Sequence, residues 1–427
     1  MVAAQKPGSH PGPPGAPRIG LFGKLGSGNI GNDASMQAVL RYIRAEHPHA
    51  TVDAMCGGPE IVKAEYGIDS VHLSWRAKFR QPRSALVAAS LKVLGALFDV
   101  GRTAAWVRRH DVVIIPGMGV LETGLQTRPR SFPSAMLVLS ASGRLFGTKV
   151  AFVGVGATAV KQPLTGWLLN SAARLAYYRS YRDETSREAM RQRGLNVAED
   201  HVFTDVAFSL PVPAFEPGDD QTVCVGVMAY RGGDDDLRVA DRTYGTYVAA
   251  MKRFVLWLTD NGYRVRLLLG DTNGSDELVV QEILADFRAA RPDAGPDLVV
   301  ARPTSSLSEL MDAIQPAGSV VAIRYHNVIA ALMLCKPTIA IGYSAKHEAV
   351  MAGMGLAEFC QPVNPLDVDA LTEMFIKLQG RLPEVRQTLL ECSTAKRQLV
   401  EAQFSDLSDA LFSGKSVGRL RPTTVRS

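Results

Sequence analysis

The sequence predicts an α/β protein of two Rossmann-like, doubly wound domains facing one another across a cleft, on three observations. Short β-branched runs nearly free of charge, the mark of strands buried on both faces of a parallel sheet, recur along the chain. Helical patterns separate them. The alternation pauses at Pro211-Val-Pro-Ala-Phe-Glu-Pro-Gly-Asp-Asp220, a linker with three prolines and two adjacent acids, and then restarts.

In the first half, Arg18–Phe22, Thr51–Met55, Asp111–Ile115, Lys149–Val153 and Tyr177–Tyr181 read as strands, with helical patterns such as Ala34–Glu46 and Phe132–Phe146 between them. In the second half the strands are Val223–Met228, Arg264–Leu269, Leu298–Ala301, Ser319–Ile323 and Thr338–Ile341. Ser306-Leu-Ser-Glu309 has the spacing of a capping box, which opens a helix before the fourth of these. Helices over Leu366–Gln379 and Pro383–Phe404 close the pattern and are expected to pack on the second domain. The predicted organisation is a disordered leader over 1–17, an N-terminal domain over 18–213, a C-terminal domain over 222–405 and a basic tail over 406–427. The leader is rich in Pro and Gly and lacks the apolar stretch of a signal peptide.

A chain of 427 residues exceeds one ordinary core, since a domain takes roughly 100 to 200 residues. A net charge of +5 suits anionic small molecules, an anionic membrane surface or nucleic acid without choosing among them. Cys56, Cys224, Cys335, Cys360 and Cys392 are far apart, with no C-x-x-C pair and no zinc spacing, so buried thiols in a reducing, cytoplasmic compartment are expected. The longest apolar stretch, Ala85–Val100, is interrupted by Lys92 and Gly95 and falls short of the ~20 residues that span a bilayer, so no transmembrane helix is expected.

Function is read at the strand ends, because the ligand crevice of an open α/β sheet lies outside the carboxyl ends of its strands. Arg324 and His326 follow the Ser319 strand, and Tyr343 and Lys346 follow the Thr338 strand. Three potential cations thus converge where a small phosphate or carboxylate would sit. His326 opens the predicted helix Asn327–Leu334, whose amino terminus favours a bound anion and disfavours a permanent imidazolium, so the ring stays available for proton transfer. The competing reading is a satisfied core histidine.

Three glycine-rich turns follow strands of the first domain. Gly26, Gly28 and Gly31 spell G-x-G-x-x-G, and Asp53 follows 22 residues after Gly31 (53 minus 31), which mimics a dinucleotide fingerprint. Yet the motif starts late, after Gly23-Lys-Leu, and Asp33 at the helix start would repel a pyrophosphate. A nicotinamide or flavin site and a plain tight turn are both weighed against the favoured reading, a loop that binds a hydroxyl-bearing substrate. Gly117-Met118-Gly119 and Gly154-Val-Gly156 supply two further turns for the floor of a cleft. Arg182 could pair with Asp183 or Glu184, or bind an anion; Asp205 and Asp271 also stand at strand ends, Asp271 as a helix cap rather than a catalytic acid.

Taken in order, Asn29-x-Gly31-x-Asp33, the Gly117 to Gly119 turn, Tyr181-Arg182-Asp183-x-x-Ser186, Arg324-x-His326 and Tyr343-x-x-Lys346 resemble the polysaccharide pyruvyl transferase family over about Arg18 to Leu356. Met118 stands where that family commonly has a third glycine. The resemblance implies a GT-B-like fold and transfer of the enolpyruvyl unit of phosphoenolpyruvate onto two hydroxyls of a glycan or lipid-linked sugar, as a cyclic ketal, with phosphate released. Arg324, Lys346, Tyr343 and Arg182 would then bind the donor, with Arg324 also catalytic through its planar fork. His326 would be the general acid at C3, and Asp33 a base or binder for the acceptor hydroxyl. Asn29, Gly31, Gly117 and Gly119 would line the acceptor side. Neither metal nor cofactor is implied, phosphoenolpyruvate being a co-substrate.

Two other classes compete. A GT-B glycosyltransferase or epimerase using a nucleotide sugar calls for an acidic ribose-binding residue in the helix after the donor strand, and Val328–Leu334 has none. A nucleic-acid or assembly protein calls for basic stripes with interleaved aromatics, which the chain lacks, so no nucleic-acid partner is expected. The run Trp75–Arg83, with Arg76, Lys78, Arg80 and Arg83, and the amphipathic Ser84–Val100 after it, suits either a peripheral membrane contact or a lid helix with a solvated basic edge.

Overall fold

A computed structural model describes residues 15–75, 85–122, 131–232, 239–271 and 275–412, without the side chains of 85–93. Two parallel sheets, each with interleaved helices, make up the molecule. The first unit runs β1 (Arg18–Gly23), α1 (Ile30–Glu46), β2 (Thr51–Cys56), α2 (Pro59–Tyr66), β3 (Asp69–His72), α3 (Ala85–Val107), β4 (Val112–Pro116), α4 (Phe132–Phe146), β5 (Lys149–Val155), α5 (Pro163–Leu175), β6 (Tyr178–Tyr181), α6 (Glu184–Gln192) and β7 (His201–Val202). The second runs β8 (Asp219–Gly226), α7 (Ala240–Asp260), β9 (Arg264–Leu268), α8 (Ser275–Ala290), β10 (Val299–Arg302), α9 (Leu307–Ile314), β11 (Ala317–Ala322), α10 (Tyr325–Met333), β12 (Thr338–Gly342), α11 (Ala345–Ala352), β13 (Cys360–Pro362), α12 (Val368–Gln379) and α13 (Leu382–Leu411).

Central strands are apolar along their whole length because both faces are covered: all five residues of β4 and all six of β11 are buried. The strand orders are β3-β2-β1-β4-β5-β6-β7 and β10-β9-β8-β11-β12-β13. In both sheets the order reverses beside the first strand, between β1 and β4 and between β8 and β11, and a doubly wound sheet opens its ligand crevice at such a point. The capping box is formed as its spacing predicts, Ser306 Oγ accepting from the Glu309 N–H at 3.2 Å, while the Glu309 carboxylate accepts from the Ser305 N–H at 2.9 Å.

Among the elements that escape the sequence reading are the strands β3 and β13 and the helix α2. β3 is half exposed and β13 has three residues, ending in a proline, so neither carries a buried apolar run. α1 begins at Ile30 rather than Ala34, because the Asn29 side chain caps it by accepting from the Asn32 N–H at 3.2 Å. α10 begins at Tyr325, which puts His326 inside its first turn.

The last helix needs the larger correction. α13 continues past residue 405 to Leu411 and leaves the second unit for the first, where Gln403 Nε2 donates to Ser180 Oγ at 3.1 Å and Tyr178 donates to Asp406 at 2.7 Å. Phe404 stacks on Tyr42 of α1 with ring centroids 4.5 Å apart. Residues 406–411 are therefore packed helix rather than the start of a tail. Residues 1–14 of the predicted leader, residues 413–427 of the tail, and Arg76, Lys78, Arg80 and Arg83 lie outside the described residues. Among the described residues no helix is long and apolar enough to cross a membrane.

Phe404→Ala removes one half of the stack that ties α13 to α1 and should destabilise the protein by roughly 1 to 3 kcal/mol, less than a fully buried phenylalanine would cost. Urea unfolding followed by circular dichroism measures it, and a change within error would mean that this end of α13 rests on the first unit without contributing to its stability.

Candidate active site

The carboxyl edges of the two sheets face one another and enclose a cavity of about 240 Å³. Lys24, Asn29, Gly119, Glu122 and Arg182 line it from the first unit, and Gly270, Arg324, Tyr325, His326, Tyr343 and Lys346 from the second. Each predicted cation is there because it lies just past a strand end: Arg182 follows β6 directly, Arg324 comes after β11 and Ile323, and Lys346 lies in the first turn of α11 after β12.

The cations do not stand bare. Arg182 Nη2 donates to Glu122 Oε1, and Lys346 Nζ donates to Glu122 Oε2 at 3.1 Å, so one carboxylate joins two cations from opposite sheets. Burial works against the charge of Glu122, but Lys346 and Arg182 outweigh it and hold the carboxyl down at about 2. Both cations also sit over the Tyr325 ring, Arg182 at 4.8 Å and Lys346 at 5.3 Å from its centroid, and Lys346 lies 5.1 Å from that of Tyr343. Glu122 is absent from the sequence-predicted site. Its N–H donates to the Gly119 carbonyl at 3.2 Å, three residues back, and nothing local marks its side-chain partners, one of which is 224 residues away.

Arg324 is held just as firmly. Asp276, fully buried at the start of α8, accepts from its Nε at 2.8 Å and its Nη2 at 2.6 Å, with Asp271 at 3.7 Å. The same carboxylate accepts from the Ala229 N–H at 3.1 Å, which fixes it to the loop after β8. Two of the five N–H donors of the guanidinium are thus used in orienting it. Gly270 admits the arm: a Cβ there would come 2.7 Å from Arg324 Cγ. Asp276 too was missed, for it lies 48 residues from the arginine it holds.

His326 reaches across to the first unit. A Cβ on Gly31 would fall 1.9 Å from His326 Cε1 and Nδ1, so the glycine at the second position of α1 is what lets the imidazole seat. Burial, with repulsion from Arg182 and Lys346 added, lowers its pKa to about 3, so the ring is neutral, and its Nε2 is buried without a hydrogen-bond partner among the described residues. Behind it His347, which the sequence reading passed over, is fully buried and also lowered to about 3, chiefly by burial and then by Lys346. His347 Nε2 lies 3.0 Å from the Ile323 carbonyl, which a neutral ring satisfies as the Nε2–H tautomer.

The acceptor-side residues divide. Asn29 and Gly119 line the cavity, and Asn29 also forms a backbone bridge to Asp271 across the cleft. Gly31 serves the His326 ring. Gly117 lies beneath the cavity, its carbonyl accepting from Ser35 at 3.2 Å. Asp33 does not line the cavity: its carboxylate turns back and accepts from the Gly26 N–H at 2.6 Å, while burial raises its pKa to about 6. It shapes the loop, and the base that the sequence placed there is not in position. Among the described residues no group of three His, Cys, Asp or Glu side chains could hold a metal ion.

The sequence model of the family described as polysaccharide pyruvyl transferase matches residues 29–345, a span that contains the cavity-lining residues named above except Lys24 and Lys346. No curated protein matches the chain by sequence. Among solved structures, UDP-GlcNAc 2-epimerase from Neisseria meningitidis bound to UDP-GlcNAc superposes with a TM-score of 0.57 at 12% identity, over 91% of this chain and 99% of that one. Anabaena HepE in complex with UDP gives 0.58 at 12%, over 92% and 99%. The S. aureus MnaA–UDP co-structure gives 0.55 at 10%, over 92% and 95%. At such identity the likeness describes the fold, two Rossmann-like domains in the GT-B arrangement.

The two buried neutral histidines make stability fall in mild acid, before the carboxyl of Glu122 adds its own loss at lower pH. Their folded-state values lie below the ordinary 6.5, so the unfolded chain binds protons that the folded chain refuses, and stability present at neutral pH is lost as pH falls from 6.5 toward 3. The slope is up to about 1.4 kcal/mol per pH unit for each histidine, with Asp33 offsetting one of them between about pH 6 and 4. His347→Gln keeps a donor for the Ile323 carbonyl and should flatten the loss between pH 6.5 and 5; urea unfolding at several pH values gives the slope, and an unchanged slope would place the titration elsewhere.

Proposed function

The chain belongs to the polysaccharide pyruvyl transferase family, and from that premise we propose that it moves the enolpyruvyl unit of phosphoenolpyruvate onto two hydroxyls of a glycan or lipid-linked sugar, closing a pyruvate ketal and releasing phosphate. The observation that carries the reading is the convergence of Arg182, Arg324 and Lys346 on one cavity with a neutral imidazole. Phosphoenolpyruvate brings a carboxylate and a phosphate. Arg324, oriented by Asp276, offers a planar fork to one, and Lys346 with Arg182 offers charge to the other.

The low basicity of His326 comes first from burial and then from Arg182 and Lys346, and the negative charge of a bound donor beside the ring raises it. The imidazolium so formed passes its proton to C3 while the C2–C3 π electrons make the new C–H bond, and the cation left at C2 takes the first hydroxyl. Departure of phosphate regenerates a cation at C2 for the second hydroxyl. Two hydroxyl protons are released in all, balancing the one gained by C3 and the one carried off by hydrogen phosphate. The imidazole left neutral by the first transfer takes up a hydroxyl proton in turn. Asp33, facing its own loop, is outside this path. A nucleotide-sugar reaction is less well served, for α10 has no carboxylate to hold a ribose.

Arg324→Lys keeps the charge but loses the fork, and should weaken phosphoenolpyruvate binding by roughly 1.5 to 3 kcal/mol, the scale of charge-assisted hydrogen bonds. His326→Gln should leave donor binding nearly intact and lower turnover about 10²- to 10⁴-fold. Calorimetry and phosphate release separate the effects; full turnover in His326→Gln would put the proton donor elsewhere. For a lipid-linked acceptor, α3 exposes Leu94, Leu97 and Phe98 at helical spacing, directly after the basic run in sequence. Flotation with anionic vesicles should fall in the doubly substituted Leu97→Ser, Phe98→Ser protein and fall with salt, whose screening length is about 10 Å at 0.1 M. Equal flotation would remove the membrane contact from the proposal.

A further inference from the structure

We propose that Glu122 is an exchangeable counter-ion of the donor site: its carboxylate holds the place of one anionic group of the donor and yields it when the donor binds. Only the identity of that donor rests on the pyruvyl transferase reading. The position is built for an anion of carboxylate size. One oxygen accepts from Arg182 and the other from Lys346, as in the grip of two cations on a bound oxyanion. Glycines of two separate turns make room for the group, since a Cβ on Gly119 would fall 2.6 Å from the Glu122 carboxyl carbon and one on Gly156 would fall 2.4 Å from Oε1.

Charge decides that the two anions exclude each other. Arg182 already has Asp183 at 3.5 Å and Asp205 at 3.9 Å besides Glu122, and Arg324 has Asp276. With Glu122 seated, the cations are answered, and a phosphate brought to Lys346 and Arg182 would meet a carboxylate in contact with both. Such like charges cannot share the site in ionised form at ordinary pH. The exit is open, because Glu122 lines the cavity and its side chain keeps 18% of its surface accessible. The cations stay behind when it leaves, since both rest on the Tyr325 ring. A permanent structural bridge would act oppositely: its loss would loosen Arg182 and Lys346 and weaken anion binding.

Isothermal titration of the whole protein and of Glu122→Gln, with inorganic phosphate and separately with phosphoenolpyruvate, tests the exchange. Glu122→Gln should bind phosphate about 10- to 100-fold more tightly, the factor expected if the carboxylate fills the site roughly 90 to 99% of the time. Equal or weaker phosphate binding overturns the proposal. In the unaltered protein, a structure with phosphate bound should show Glu122 no longer bonded to Lys346; phosphate held beside a seated Glu122 overturns it even where the variant fails to fold. If phosphate binding tightens while phosphoenolpyruvate neither binds nor turns over, the counter-ion stands and the pyruvyl transferase reading falls. If phosphoenolpyruvate turns over and phosphate affinity does not change, the reading stands and the counter-ion falls.

Discussion

Cations kept out of water need carboxylates close by, and that requirement shapes both faces of the cleft. Arg182 and Lys346 come from different sheets and meet on Glu122, while Arg324 is clasped by Asp276 before any ligand arrives. An unpaired buried charge costs several kcal/mol, so Arg182, Arg324 and Lys346 can face the cavity only because other side chains answer them. The glycines follow from the same need, since Gly119, Gly156 and Gly270 are where the charged arms pass closest to backbone. The fold places the cations, and the acids decide which way they point.

This pairing also explains what was legible in the sequence. Central strands such as β4 and β11 announce themselves as uncharged runs, and residues that lie just past a strand end, Arg324 and Arg182 among them, are placed by the strand alone. Glu122 and Asp276 are placed by partners distant in the chain, which no local pattern records. Asp33 shows the complementary failure: spacing puts it at a helix start beside the cleft, but the side from which it is read depends on the backbone of Gly26, which draws the carboxylate inward. His347 was hidden by its neighbour Lys346, whose charge attracted the functional reading. The edge strands β3 and β13 were lost because an edge needs no continuous apolar run.

The cleft is more than two surfaces set face to face. The His326 ring fills the space above Gly31, Asn29 bridges to Asp271, and Glu122 spans to Lys346, so the two sheets touch through residues at the cavity. The imidazole, the cations and the glycine loop are therefore one assembly. Widening the cleft separates all of them together, which ties the readiness of the imidazole to the closeness of the two units.

How the cleft can widen is set far from it. The backbone passes from the first unit to the second ahead of β8 and returns along α13, and Arg386 of α13 donates to the Pro217 carbonyl at 3.5 Å, at the end of the first passage, as well as to Asp220 of β8. The incoming passage is pinned as well, Lys336 Nζ donating to the Glu216 and Gln315 carbonyls at 2.6 Å each. A body joined to another at one point can swivel in every direction, whereas two neighbouring joins leave rotation about the line between them and suppress twist. Two crossings therefore restrict how one unit can turn on the other more than a single linker would.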